Sequence, residues 1–314
     1  MPLRAHSVLT AAVLLALLGM GGCQPATDAA DAPPDTTDKA SALPDRALTP
    51  DSATAARFAS AMRYGRGRAD TAQSIGTLMQ ALGLHFRGRP YLEGTLDAPP
   101  TERLVVRLDG FDCVTFVETL LAMARGLGAG DTTYAGFARR LAEQRYRDGA
   151  PPGYCGRLHY FTEWIADNAE RGLVRRLDDT LGGRRLADSL NFMSTHRSSY
   201  DRFATDDSLY ACVQRMEDSL HARQRERPVR YVPQDSIRAV YDRLRAGDIV
   251  AVATSIDGLD VAHTGLVYAH ADGGRGLLHA SLSDGVVVSP DLQRYVQTID
   301  HHIGIVIARP QPVP

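Results

Sequence analysis

Phe111-Asp112-Cys113-Val114-Thr115-Phe116-Val117-Glu118 puts a cysteine at the point where a helix begins. Asp112 is a good N-cap, because its side-chain oxygen accepts from the free N–H groups of a first turn. Val114, Val117, Leu120, Leu121 and Ala124 follow at helical spacing, so the pattern predicts a helix over Asp112 to Leu127 with Cys113 in its first turn. Unpaired N–H groups and the positive end of the helix dipole favour thiolate there, and Cys113 is expected below the free thiol value of about 8.5. An isolated cysteine in such a run is more often a small buried apolar residue. The remainder of the chain decides between the two.

Moving outward from Cys113, the first half is mainly helical. Candidate helices cover Asp51 to Arg63, Ala69 to Leu82, Thr132 to Arg145 and Leu158 to Arg171, separated by turn-rich loops at Gly88 to Pro100 and Asp148 to Gly156. Leu173 to Pro233 is polar and irregular apart from a helix near Asp206 to Arg223, and reads as an insertion over the core. After a short helix at Asp235 to Leu244 the period changes to two. Asp248 to Ala253, Val261 to Tyr268, Gly276 to Leu282, Gly285 to Ser289 and Ile303 to Ala308 are short, β-branched and broken by Gly or Asp turns, as strands of an antiparallel meander are. Helices first and sheet afterwards give an α+β domain. The N-terminal helices are expected to pack on a C-terminal antiparallel sheet as one domain over 51–314, with its insertion at about 173–233.

A hydrophobic fraction of 44% and a net charge of −2 in 314 residues describe an ordinary globule. No basic run is interleaved with aromatics, which argues against a nucleic-acid partner. Lys39 is the only lysine. Base composition is the plain cause, though planar arginine forks also suit carboxylates. At the N-terminus, Arg4 precedes a short apolar run from Ser7 to Leu18, and Met20-Gly21-Gly22-Cys23 closes it. This resembles a bacterial lipoprotein signal over 1–23, with Cys23 the lipidated residue, and the apolar run is too short to span a bilayer. The resemblance implies export to the periplasm, with the only membrane attachment a lipid anchor, in the outer membrane because Gln24 follows the cysteine. Residues 24–50, rich in Ala, Pro, Asp and Thr, read as a disordered tether. Of the other cysteines, Cys212 shares the apolar face Leu209, Val213, Met216 and Leu220, which favours a core role over a bridge to Cys155.

Cysteine catalysis needs a base within reach of the thiol and a third group to orient the base. In Val261-Ala262-His263-Thr264-Gly265-Leu266-Val267-Tyr268, strand alternation puts Val261, His263 and Gly265 on one face. If the next strand, Leu277-Leu278-His279-Ala280-Ser281, returns as a hairpin, either His279 or Ser281 falls near His263. The sequence alone leaves that register open.

The helix-start cysteine, the strand His263-Thr264-Gly265 and Leu278-His279-Ala280-Ser281 resemble the NlpC-type papain-like cell-wall cysteine hydrolases. More closely still, Tyr91 to Leu96, Glu102 to Val106, Asp112 to Glu118, Arg157 to Ile165, Asn191 to Ser194 and Gly247 to Val250 resemble the N-acetylmuramoyl-L-alanine amidase-like family, over about Asp51 to Arg309. The resemblance implies a papain-like core. It makes Cys113 the nucleophile, His263 the base and His279, ahead of Ser281, the orienting residue. It also implies hydrolysis of the bond between N-acetylmuramic acid and L-alanine in small, 1,6-anhydro muropeptides, without a cofactor or metal. Arg157 and His159 are odd choices for packing alone, and aromatic faces with planar donors suit sugars and carboxylates. Tyr91, Asp112, Tyr154, Arg157, His159, Tyr160 and Ser281 are therefore expected to contact substrate, whereas Trp164 is equally well a core residue and Glu118 is expected in a salt bridge.

Gly-x-Ser-x-Gly, His-Glu-x-x-His and paired Cys-x-x-Cys are absent, and His301-His302 would point to opposite faces of a strand. Two rivals stay open: a γ-D-glutamyl-diaminopimelate endopeptidase of the same superfamily, and a lipoprotein that binds muropeptides without cutting them.

Overall fold

The computed structural model describes residues 43–69, 72, 74–149, 153–186 and 189–313. The expected signal segment with Cys23, and residues 24–42 of the expected tether, lie outside the described residues.

Ten helices are described: α1 (Asp45–Leu48), α2 (Ser52–Ala69), α3 (Ile75–His85), α4 (Cys113–Gly128), α5 (Tyr134–Arg145), α6 (Phe161–Glu170), α7 (Asp178–Leu181), α8 (Phe192–Thr195), α9 (Asp207–Glu226) and α10 (Leu292–Gln297). Eight strands, β1 (Val174–Arg176), β2 (Arg184–Arg185), β3 (Arg230–Pro233), β4 (Ile249–Thr254), β5 (Val261–Ala269), β6 (Arg275–Ser281), β7 (Gly285–Ser289) and β8 (His302–Pro310), form one sheet. Its order is β2-β3-β8-β4-β5-β6-β7, with β1 also paired to β8. All the pairings are antiparallel, and the α+β class read from the sequence is the class observed.

Helix α4 is apolar nearly all round, as a helix buried on every side must be. It packs against α2, α3 and α5 and lies on β5 and β6. Asp112 caps it: the carboxylate accepts from the Thr115 N–H at 2.7 Å, and the Thr115 hydroxyl accepts from the Asp112 N–H at 3.1 Å, a reciprocal capping box. Cys113 is thus the first helical residue, as expected. Strand β4 is buried throughout. Ile249, Ala251 and Ala253 join the helix-side core, while Val250 and Val252 join a second core with Leu292 and Val296 of α10. The sheet is therefore covered on both faces.

Four features depart from the sequence expectation. Helix α3 starts at Ile75, since Ser74 caps it by accepting from the Thr77 N–H, and not at Ala69. The last residues of the expected tether are folded: Leu43 is buried and α1 packs against α5. The 173–233 segment is woven into the sheet, with Val174 opposite Pro310 and Val232 opposite Ile305. Residues Arg238–Arg243 wind as a 3-10 helix. These strands have two to four residues, too short to show alternation.

Cys212, expected in the core, is disulfide-bonded to Cys155, with Cα atoms 6.3 Å apart. The bond ties α9 to the short turn Tyr154–Gly156. Facing Leu209, Val213 and Met216 did not preclude it, because the same apolar face of α9 lies on that turn with Tyr154 and Tyr160.

Candidate active site

A β-bulge sets the site. Val252 lies opposite His263, but its neighbour Ala253 lies opposite Val261, so Ala262 is the extra residue on β5. The alternation expected from Val261 to Gly265 is broken there. Val261 packs with the helix-side core, while His263 sits across from Val252 of the α10-side core. Bulges re-aim side chains in this way beside functional sites. Thr264, next along, faces the helix layer like Leu266.

Between β5 and β6 the register pairs Leu266 with Leu278. Continued, it would put Ser281 across from His263 and His279 across from Gly265. The hydrogen bond runs diagonally: His263 Nε2 and His279 Nδ1 are 2.8 Å apart. Gly265 makes the approach possible, since a Cβ there would meet His279 Cβ at 2.9 Å. His279 in turn bonds Ser289 Oγ through Nε2 at 3.1 Å. Ser281 turns away into the β6–β7 turn, where its hydroxyl meets Ser283 Oγ at 3.2 Å.

Cys113 is partly exposed and is the free cysteine of the described residues. Its sulfur lies beside Thr264, whose backbone and hydroxyl both favour the ionised form, and the Tyr91 and Tyr295 hydroxyls are within electrostatic reach. Tyr91 gets there because Phe111 donates its N–H to Pro90 O at 3.1 Å and Leu92 donates to Phe111 O at 3.0 Å, holding that loop beside the start of α4. Tyr295 lies 4.8 Å from the His279 ring and 5.8 Å from that of His263, centroid to centroid. Cysteine, two histidines and two tyrosines thus form one cluster, linked through Thr264 and Tyr295.

Electrostatics here differ from the helix-dipole expectation. Burial, and then the Asp112 carboxylate, push the Cys113 thiol up to about 11. Burial, and then the neighbouring His279 and His302, lower His263 to about 3; burial lowers His279 to about 4. The resting groups at neutral pH are a thiol and neutral imidazoles. Burial raises Tyr91 and Tyr295 well above the usual tyrosine range, so both hydroxyls keep their protons.

Several expected substrate contacts have internal roles. The Arg157 side chain is buried and pairs with Asp97 and Glu102 while donating to Leu96 O at 3.0 Å. The Tyr160 hydroxyl donates to Glu217 at 2.7 Å and accepts from the Met193 N–H at 3.2 Å. His159 bonds Tyr154 O at 2.7 Å, and burial pulls it well below the usual histidine range. Asp112 Oδ1 is committed to the cap. These departures share a cause: a polar side chain chosen to satisfy buried partners has the same signature in sequence as one chosen for a ligand. Tyr154 differs, being gripped between the Arg157 and Arg202 guanidinium groups, each 4.9 Å from its ring, on the wall of a cleft of about 290 Å³ that also touches Gly94 and Tyr200. Trp164 stacks on Phe161 at 5.0 Å and is fully buried, and Glu118 pairs with Arg145 at 2.7 Å.

Sequence reasoning missed Thr264, Ser289, Tyr295 and His302. Only Tyr295 carried a signal: Asp291, three residues before Arg294 with Leu292 and Val296 beyond, is an N-cap ahead of a short amphipathic turn. Among the described residues, no group of three or more His, Cys, Asp or Glu is placed to hold a metal ion. Nor is any described helix long and apolar enough to cross a membrane.

A cysteine at a helix start, set beside a bulged strand whose histidine pairs with a second, places the chain among the amidase-like α+β proteins. The chain belongs to the N-acetylmuramoyl-L-alanine amidase-like family, whose model matches residues 81–305. An N-acetylmuramoyl-L-alanine amidase from Bacteroides uniformis superposes with a TM-score of 0.69 at 32% identity, covering 76% of this chain and 99% of that one. A Bacteroides fragilis protein provisionally described as a xylanase gives 0.66 at 34% identity, over 72% and 98% of the two chains. LPG0564 from Legionella pneumophila gives 0.59 at 20% identity, over 82% and 97%, and shares the fold. No curated protein matches the chain. The family makes the chain a peptidoglycan amidase in general terms, a hydrolase acting on an amide bond.

Proposed function

We propose that the chain is a cysteine amidase that hydrolyses the bond between N-acetylmuramic acid and L-alanine in small, 1,6-anhydro muropeptides. The carrying observation is the His263–His279 hydrogen bond, made on the strand whose next residue, Thr264, lies beside Cys113. With thiol and imidazole both neutral at rest, His263 acts as general base. It takes the Cys113 proton as sulfur attacks the lactyl carbonyl, and His279 holds the imidazole and shares the resulting charge. The Cys113 backbone N–H, in the first turn of α4 where N–H groups have no intrahelical partner, supports the oxyanion. His263 then gives its proton to the leaving alanine amine, and water, deprotonated by the same histidine, releases the sugar acid from the thioester.

Glycoside hydrolysis fits the cluster poorly, because it calls for two carboxyl groups flanking the bond and the one beside Cys113, Asp112, is spent on a helix cap. The signal-like N-terminus and Cys23 favour an exported, lipid-anchored protein of the periplasmic face of the outer membrane, and the Cys155–Cys212 bond suits an oxidising compartment.

The test is product analysis. Incubating the protein with a defined anhydro-muropeptide should release free disaccharide and an intact stem peptide by mass spectrometry. A shortened stem still attached to sugar would overturn the proposed bond in favour of an endopeptidase, and unaltered muropeptide would favour a binding protein.

A further inference from the structure

Thr264 is 1% exposed, and its hydroxyl makes no hydrogen bond among the described residues. A buried hydroxyl left in that state is costly. Thr264 follows His263 on β5, and the pleat turns it toward the helix layer, where α4 packs on β5 and its hydroxyl and backbone lie near the sulfur of Cys113. A protonated thiol accepts hydrogen bonds weakly, whereas a charged acceptor roughly doubles their strength. The hydroxyl therefore gains little while Cys113 holds its proton and gains a full partner once the proton leaves.

We propose that Thr264 is a thiolate-stabilising residue, whose hydroxyl donates to Cys113 Sγ in the ionised form and so lowers the cost of transferring the proton to His263. The inference rests on the reading of Cys113 as the nucleophile. The bookkeeping is simple: the thiol S–H bond breaks, its proton joins the imidazole of His263, the electron pair stays on sulfur, and Thr264 keeps its own hydrogen. Of the other groups facing that sulfur, Asp112 on its own helix opposes ionisation, and Tyr91 from the preceding loop and Tyr295 from α10 stay protonated. On the adjoining strands, His263 of β5 and His279 of β6 are neutral at rest, and His302, which acts on His263 from β8, is held low by burial. Thr264 offsets the Asp112 carboxylate.

The experiment is the pH dependence of Cys113 alkylation by iodoacetamide in the full chain, with peptide mass spectrometry separating Cys113 from Cys23. Thr264→Val keeps the shape and removes the hydroxyl; it should move the alkylation midpoint up by about one pH unit, or slow the reaction about tenfold below it. Thr264→Ser should restore the wild-type profile. A Thr264→Val profile equal to wild type, or a Thr264→Ser profile displaced as far as that of Thr264→Val, would overturn the inference. Should Thr264→Val fail to fold, Thr264→Ala and Thr264→Ser both lack the methyl and differ only by the hydroxyl, so identical profiles for that pair would overturn it equally. The reading of Cys113 fails separately, by muropeptide turnover surviving in Cys113→Ala.

Discussion

Gly265 shows how one residue carries the histidine pair. A Cβ at that position would come within 2.9 Å of His279 Cβ, of Leu277 Cδ1 and of the Leu278 carbonyl, three atoms that cannot all give way. Gly265→Ala should therefore shift β6 against β5, lengthen the 2.8 Å link between the imidazoles and lower kcat about 100-fold with KM little changed. Steady-state kinetics on a muropeptide checks this; an unchanged kcat would mean that the link is dispensable. At this scale Cys113 and His263 were legible, because a capped helix start and a His-x-Gly strand are local patterns, whereas the choice of His279 over Ser281 came only from the family resemblance, the register being open in sequence. Thr264 and His302 were not, since a threonine in a strand and a histidine at the start of one look the same whether or not they face a reactive group. Nor could the sequence foretell that burial would override the helix dipole at Cys113, because desolvation depends on what other segments cover it.

Between elements, the α4–α5 contact depends on a buried ion pair. Glu118 and Arg145 meet at 2.7 Å with both side chains almost inaccessible, Arg145 also donates to Val105 O, and Gln144 donates to Glu118 O. Removing one partner strands the other charge, so Arg145→Met should cost about 3–5 kcal/mol, while adding Glu118→Leu should recover much of the loss. Chemical denaturation of the single and double variants decides this, and a single variant as stable as wild type would contradict it. The disulfide acts at the same scale. It closes a loop of 57 residues, and reducing it should lower stability by up to about 4 kcal/mol on the chain-entropy account, read as a drop in the denaturation midpoint under reductant. Elements with clear period and caps, such as α4, α5 and β4 to β8, were readable in advance. The strands β1, β2 and β3 were not, since the edge of a sheet made elsewhere recruits them. The bulge at Ala262 arises from matching β5 to β4, information that lies in neither strand alone.

Across the whole molecule, the segregation of helices from strands was enough to give the α+β class, because each half has its own hydrophobic period. The two-sided burial of the sheet brings a consequence for acid stability. His263 and His279 ionise near 3 and 4 in the folded protein, against 6.5 for an unperturbed histidine. Below about pH 6.5 the unfolded chain takes up protons that the folded chain refuses, so this contribution to stability is complete above that pH and is lost as pH falls toward 4 and 3. The slope is at most about 1.4 kcal/mol per pH unit for each histidine. Thermal unfolding followed from neutral pH to about pH 4 should show a steeper decline for wild type than for His263→Gln/His279→Gln; parallel declines would contradict the neutral, buried pair.

Turnover of a purified anhydro-muropeptide by Cys113→Ala, compared with wild type at equal concentration, tests most directly whether this thiol carries the chemistry. Cleavage between sugar acid and alanine should vanish in the variant while its fold and thermal midpoint persist. Cleavage continuing at the wild-type rate would contradict the assignment of Cys113 as nucleophile.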